Sequence, residues 1–191
     1  MGRMVGNKIT LREFRSEDIT GMRAWVTDDQ VTCFLSGAFV KPNTWEQTEQ
    51  YLNSILNGDA GGVRLVIAEN GSLKYLGQCD LMFIDNIVRK AELAIVIGRE
   101  HHGQGYGEEA IKLLLDFGFN QMNLNRIYLR VFEDNKRAIA LYERCGFVHE
   151  GRLREDGYIE GKYTDLLCMG ILKSEFASPK KALQSTKEKS E

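Results

Sequence analysis

The sequence predicts one mixed α/β domain of the α+β kind, and three observations carry that prediction. Segments with strand and helix periods alternate along 191 residues in the order β-α-α-β-β-β-α-β-α-β-β. An Asn70-Gly71 pair joins two apolar segments, which is the strongest short hairpin signal. An apolar strand, Leu93–Ile97, runs into glycines at 103, 105 and 107 and then directly into an amphipathic helix.

Each element has its own local reason. Lys8–Phe14 alternates Ile9 and Leu11 against Thr10 and Arg12, a half-buried strand. Ser16 is placed to cap a helix through Val26, with Ile19, Met22 and Val26 on one face. Residues 27–43 read as a polar and aromatic loop. Thr44-Trp-Glu-Gln47 has the spacing of a capping box, opening a helix that carries Tyr51, Leu52 and Ile55. Val63–Ala68 and Leu73–Ile84 flank the Asn-Gly turn, and a strand over 90–98 follows.

The helix after the glycines is expected from about 106 to 121, with Ala110, Leu113, Leu114 and Phe117 at core spacing. Arg126–Phe132 is a further strand, and Asn135–Cys145 a short helix closed by Gly146. Phe147–Glu155 and Lys162–Leu172 form a last hairpin across Glu160-Gly161. The domain is expected over residues 1–176. After Phe176 the chain turns to Ser, Lys and Glu, so 177–191 reads as a polar, disordered tail.

Composition narrows the function. Apolar residues make up 43% and charged residues 27%, the balance of a globular core with a charged surface. A net charge of −2 offers no basic face for nucleic acid. No segment is long and apolar enough to span a bilayer or act as a secretory signal, and Gly6 replaces the hydroxyl residue that myristoylation at Gly2 wants. Cys33, Cys79, Cys145 and Cys168 are widely separated, and His101, His102 and His149 lack ligand spacing. The chain therefore reads as cytoplasmic, with reduced thiols and no metal.

The glycine loop carries the first chemical signal. It delivers backbone N–H groups, uncluttered by side chains, to the positive end of a helix, where a phosphate or pyrophosphate is held. The spacing Gly-x-Gly-x-Gly is not the Gly-x-Gly-x-x-Gly of dinucleotide folds, and no Gly-Lys-Ser/Thr follows. The second signal is Asn135…Ala138…Leu141-Tyr142…Gly146-Phe147. Seven helical residues turn through about 700°, which puts Asn135 and Tyr142 near one line, ~10 Å apart. Taken singly, Asn135 also reads as an N-cap and Tyr142 as a core aromatic.

Together these two motifs resemble the GNAT N-acetyltransferase family. Its pattern is Arg/Gln-x-x-Gly-x-Gly/Ala at a helix start, then, some thirty residues on, Asn-x-x-Ala-x-x-Leu-Tyr-x-x-x-Gly-Phe. Here the first becomes His102-Gly103-Gln104-Gly105-Tyr106-Gly107, and the second begins at Asn135. The likeness extends over residues 8–175 and is strongest to the spermidine and ribosomal-protein N-terminal acetyltransferase branch. It implies a central mixed, mostly antiparallel sheet of six to seven strands flanked by about four helices. It implies acetyl-CoA as acetyl donor, and it allows a homo-oligomer.

The resemblance also distributes roles. The amides of His102, Gly103, Gln104, Gly105, Tyr106 and Gly107, with the helix start at Glu108, would hold the cofactor's pyrophosphate. Ile95, Val96 and Ile97 would bond its pantetheine arm like an added strand, and Asn135 would position its amides. The residues Ile95–Ile97 also read simply as a buried strand interior. The leading Arg or Gln of the loop is His102, mostly neutral at pH 7. Acetyl-CoA binding is therefore expected to weaken as pH rises through the titration of His102.

Tyr142 would protonate the departing thiol. A lysine-like acceptor amine is neutral only about once in 2,500 molecules at pH 7, so a base is needed. Glu92 is the candidate, with a solvated strand-end carboxylate as its other reading. The acceptor is expected to be a small-molecule amine, a polyamine such as spermidine first, drawn in by Asp28, Asp29 and Asp80 or Asp85. A peptide N-terminus against Trp25, Phe34 and Phe39 is the alternative, and a non-catalytic acetyl-CoA-binding regulatory module is another.

Overall fold

The computed structural model describes residues 3–35, 39 and 41–176. Eight strands form one sheet: β1 (Met4–Val5), β2 (Ile9–Arg12), β3 (Val63–Glu69), β4 (Tyr75–Asp85), β5 (Lys90–Ile97), β6 (Arg126–Phe132), β7 (Val148–Ile159) and β8 (Lys162–Leu172). Five α-helices accompany them: α1 (Ile19–Val26), α2 (Asp29–Thr32), α3 (Trp45–Leu56), α4 (Tyr106–Asp116) and α5 (Lys136–Arg144). The tail expected at 177–191 lies outside the described residues.

The strand order is β1-β2-β3-β4-β5-β6-β8-β7, and each neighbouring pair is antiparallel except β5 with β6. Side chains alternate across this sheet and are buried on both faces. Leu65, Ile67, Cys79, Leu81, Ala91, Leu93, Ile127 and Leu129 join α4 and α5 in the main core. Val66 and Ala68 point the other way and pack with Met22 of α1 and Leu52 of α3.

The structure corrects the sequence reading in four places. Ser16 is not a helix cap: it opens a 3-10 turn over Ser16–Asp18, and α1 begins at Ile19. Asp18 is drawn inward by the buried Arg12 guanidinium, at 2.7 and 2.8 Å, while also accepting the Arg15 N–H at 2.8 Å. The 27–43 segment contains α2, whose N-cap is Asp28. The helix after the glycine loop ends at Asp116 and passes into a wider π turn over Phe117–Gln121. Strand β1, two residues long, raises the sheet above the expected six to seven; it is too short to show a period.

Elsewhere local chemistry acts as expected. The Thr44–Gln47 box closes at both ends, with the Gln47 N–H donating to Thr44 Oγ1 at 3.2 Å and the Thr44 N–H to Gln47 Oε1 at 2.9 Å. Glu160 and Gly161 both take positive φ, at 49° and 82°, the geometry of a tight hairpin turn.

Candidate active site

The site exists because one ladder stops short. Strands β5 and β6 pair only at Lys90–Arg126, Ala91–Ile127 and Glu92–Tyr128. From Leu129 to Phe132, β6 is paired with β8 alone, whereas β5 keeps its bonds to β4 as far as Ile97. The β6-facing edge of Leu93–Ile97 therefore carries backbone donors and acceptors into an open cleft, a ready edge for an added strand. Residues 94–97 are half-buried where Ala91, Glu92 and Leu93 are buried.

The glycine loop closes one end of that cleft. Gly103 and Gly105 have φ of 76° and 85°, a region costly for any residue with a Cβ. A Cβ at Gly103 would stand in open space, whereas one at Gly107 would meet Leu141 at 3.1 Å and Ile97 at 3.3 Å. Gly107 thus lets α4 approach α5 and β5, and the loop glycines serve its shape. Gly105 caps α4 without a side chain, so the helix itself leaves the first-turn N–H groups of Tyr106, Gly107 and Glu108 without partners. Lys8 steadies the loop by donating to the Gln104 carbonyl at 2.9 Å. This cradle fits a diphosphate.

A cavity of about 650 Å³ unites the cleft and the loop. Glu92, Ile95, Val96, Ile97, His102, Gly103, Gly105, Tyr106, Gly107, Glu108, Asn135 and Tyr142 all line it. Gln104 does not; its side chain folds back to the Glu100 carbonyl at 3.1 Å. The Glu108 carboxylate is committed to Lys112 and Arg144, at 2.6 and 3.3 Å, which leaves its N–H as the useful group. Asn135 is indeed the cap of α5, accepting the Ala138 N–H at 3.1 Å, and lines the cavity as well.

Tyr142 is 7% exposed, with its ring centroid 5.8 Å from that of Phe147 in an edge-to-face arrangement. Burial pushes its phenol up to about 12, so the hydroxyl keeps its proton across the neutral range. Glu92 is buried at the point where β5 and β6 part, and accepts from Arg130 Nε at 3.2 Å. It is therefore not the solvated strand-end carboxylate of the alternative reading.

His102 differs from expectation. Its Nε2 lies 2.9 Å from the Ile97 carbonyl and its Nδ1 2.6 Å from Arg137 Nη1. An arginine only donates, so Nδ1 accepts and the ring is neutral. Burial first, and then Arg137, hold its pKa below the ordinary value. The loss of a His102 charge with rising pH therefore has no basis in this geometry.

The expected acceptor acids do not line the cavity. Asp28 caps α2 through the Gln30 N–H and pairs with Arg99 at 3.0 Å, and Asp29 is exposed beside it. Asp85 is spent on the N–H groups of Ile87 and Val88, both at 2.9 Å. Asp80 is buried, 3.0 Å from Arg64, with Oδ1 unpartnered, and burial pushes it up to about 6. It opposes Ala94 while Glu92 opposes Met82, so the two carboxylates share a sheet face as diagonal neighbours. Trp25 is tied to Tyr75, and of the three aromatics only Phe34 reaches the cavity.

Sequence reasoning missed Gln30, Val31, Leu35, Arg130, Arg137 and Asp156, which also line the cavity. Asp156 comes from an irregular stretch of β7, where the register shifts between Leu153 and Gly157 and Glu155 has φ of 54°. Bulges re-aim side chains in this way without a periodic signature. Among the described residues no cluster is placed to hold a metal ion, and no helix is long and apolar enough to cross a membrane.

A family model for the acetyltransferase (GNAT) domain matches residues 8–148. The chain belongs to the GNAT acetyltransferases. A spermidine N(1)-acetyltransferase of Vibrio cholerae is 32% identical over 173 residues, covering 90% of this chain and 97% of that protein. The solved structure of spermidine N-acetyltransferase from Vibrio cholerae with CoA and spermine matches with a TM-score of 0.78 and 33% identity, over 87% of this chain and 96% of the other. A putative ribosomal N-acetyltransferase, YdaF of Bacillus subtilis, is 32% identical over 64% of this chain and 66% of that protein. As a GNAT N-acetyltransferase, the protein moves an acetyl group to an amine nitrogen.

Proposed function

We propose that this GNAT enzyme acetylates a polyamine, spermidine or spermine, with acetyl-CoA as donor. The observation that carries the proposal is Glu92, buried where the strands part and opening onto the same cavity as Tyr142 and the glycine loop. Kinship with spermidine acetyltransferases over nine-tenths of the chain supports the choice of amine.

Acetyl-CoA supplies the activated acyl group. The amides of residues 103–108 bind its diphosphate, and the free edge of Ile95–Ile97 aligns its arm. An ammonium with pKa near 10.4 must lose a proton, a deficit of about 4–5 kcal/mol at pH 7. Glu92 accepts that proton, directly or through water. Tyr142, kept protonated by burial, donates to the thiolate sulfur released as the acetyl carbon–sulfur bond breaks. Asp156 lines the same cavity and offers a second carboxylate for a distant ammonium, and Arg130 feels the charge of both it and Glu92. The protein works without a metal and as a cytoplasmic enzyme in this reading.

Val31, Phe34 and Leu35 give part of the cavity an apolar wall, a feature that favours a peptide N-terminus. Thiol release from acetyl-CoA separates the readings when spermidine, spermine, N-terminal peptides and aminoglycosides are compared. Spermidine or spermine should exceed the peptides in kcat/KM by at least about tenfold, a difference of ~1.4 kcal/mol. Preference for peptides would transfer the assignment to protein N-termini, and acetyl-CoA binding without thiol release would leave a non-catalytic module.

A further inference from the structure

The position that carries Arg or Gln in the family pattern is His102 here, and its imidazole faces away from any role as a cation. It bridges two elements: Nε2 donates to the carbonyl of Ile97, the last residue of β5, and Nδ1 accepts from Arg137 in the first turn of α5. The ring is a neutral strut. The charged groups acting on it are Arg137 from α5, Asp28 from the start of α2 and Glu100 from the turn after β5. Asp28 is itself paired with Arg99 at 3.0 Å.

What the strut holds is the informative part. Arg137 is exposed and lines the same cavity as Gly103, Gly105 and Gly107. Among the described residues no carboxylate pairs with it, in contrast to Arg130 and Arg144, which pair with Glu92 and Glu108. A guanidinium has five N–H donors in a fixed fork, and one bond to His102 leaves four. Such a fork matches the oxygens of a phosphate in a bidentate way.

We infer that Arg137, oriented by His102, supplies the cation that the glycine loop itself lacks and grips the diphosphate of the coenzyme. The motif's charge has moved from the loop to the facing helix. Arg137 is a binding residue and His102 a positioning residue for it. This rests on the acetyl-CoA reading above and adds a specific contact to it.

Calorimetry on the full chain tests the pair, using CoA, dephospho-CoA (which lacks the 3′-phosphate) and pantetheine (which lacks all phosphates). Arg137→Ala should raise the Kd for CoA by about 10- to 50-fold, the scale of charge-assisted bonds. The loss should be equal with dephospho-CoA and absent with pantetheine. His102→Ala should weaken CoA too, and the double variant should lose less than the sum. His102→Gln, which can still accept and donate, should keep most of the affinity. Dephospho-CoA should bind wild type with one affinity from pH 6.5 to 8.

Arg137→Ala binding CoA within twofold of wild type would overturn the inference. So would a loss that vanishes with dephospho-CoA, which places the contact on the 3′-phosphate. Strictly additive losses would remove His102 as the orienting group, and affinity that falls with rising pH would report a cationic His102. Wild-type protein that binds no CoA at all would sink the acetyl-CoA reading itself, a different outcome from any of these.

Discussion

The two walls of the cleft are made by different means. On the loop side, β5, the glycines and the start of α4 follow one another in about twenty residues and present main chain. On the acceptor side, Gln30, Phe34, Glu92, Arg130 and Asp156 arrive from four separate elements and the turn after α2, and present side chains. A wall of backbone recognises what every acetyl donor of one kind shares. A wall of side chains can be changed residue by residue, and in the proposed reading it decides which amine is accepted.

Substitutions can break or sharpen that contrast. Tyr142→Phe should lower kcat by about 10²-fold, the ordinary scale for a general acid, while CoA affinity by calorimetry stays within twofold. A fall in CoA affinity instead would place Tyr142 on the binding side.

Asp80→Asn should show what a buried charge costs on the sheet face it shares with Glu92, outside the cavity. Its folded pKa of about 6 stands above an unfolded value near 3.9, so the native state holds the proton more tightly between them. That stabilisation is full below about pH 4 and is lost as pH rises through 6. Asn does not titrate, so the stability of Asp80→Asn relative to wild type should rise by about 2–3 kcal/mol from pH 4 to 7. Denaturant melts at both pH values measure it, and a constant difference would refute it.

Glu92→Gln should reduce kcat/KM for the amine by about 10²-fold at pH 7, the lower end of the range for a general base. The deficit should shrink toward pH 10, where the amine deprotonates unaided; a deficit constant with pH would make Glu92 a structural carboxylate. Gly105→Ala, at φ of 85°, should cost about 1–2 kcal/mol of stability. It should weaken CoA and leave the KM for amine unchanged, as thermal melts and calorimetry would report. Asp156→Asn should produce the smallest change, a rise of about three- to fivefold in KM for spermidine and little for a monoamine. Equal effects on both would deny Asp156 a role with the distant ammonium.

The same contrast explains what is legible in the sequence. The loop wall is contiguous; backbone conformation demands glycine at 103 and 105 and close packing demands it at 107, so Gly103, Gly105 and Gly107 stand out from residue spacing alone. Tyr142 and Asn135 stand out because both lie on one short helix at a fixed interval. The acceptor wall depends on long-range packing and on a bulge in β7, neither of which leaves a local period. Asp28, Asp29 and Asp80 are reasonable candidates on charge, but capping and ion pairing claim Asp28, Asp29 faces solvent beside it, and burial against Arg64 claims Asp80. His102 is legible as a departure from the pattern, though its partner Arg137, 35 residues away, is not.

The short β5–β6 ladder has one more consequence. Three residue pairs join a five-stranded half of the sheet to a three-stranded half, where β6 and β8 share seven pairs. The seam between these two halves and the open cleft are thus the same place. A coenzyme lying along β5, as proposed above, would mend that seam, and its departure at the end of each turnover would unstitch the two halves again.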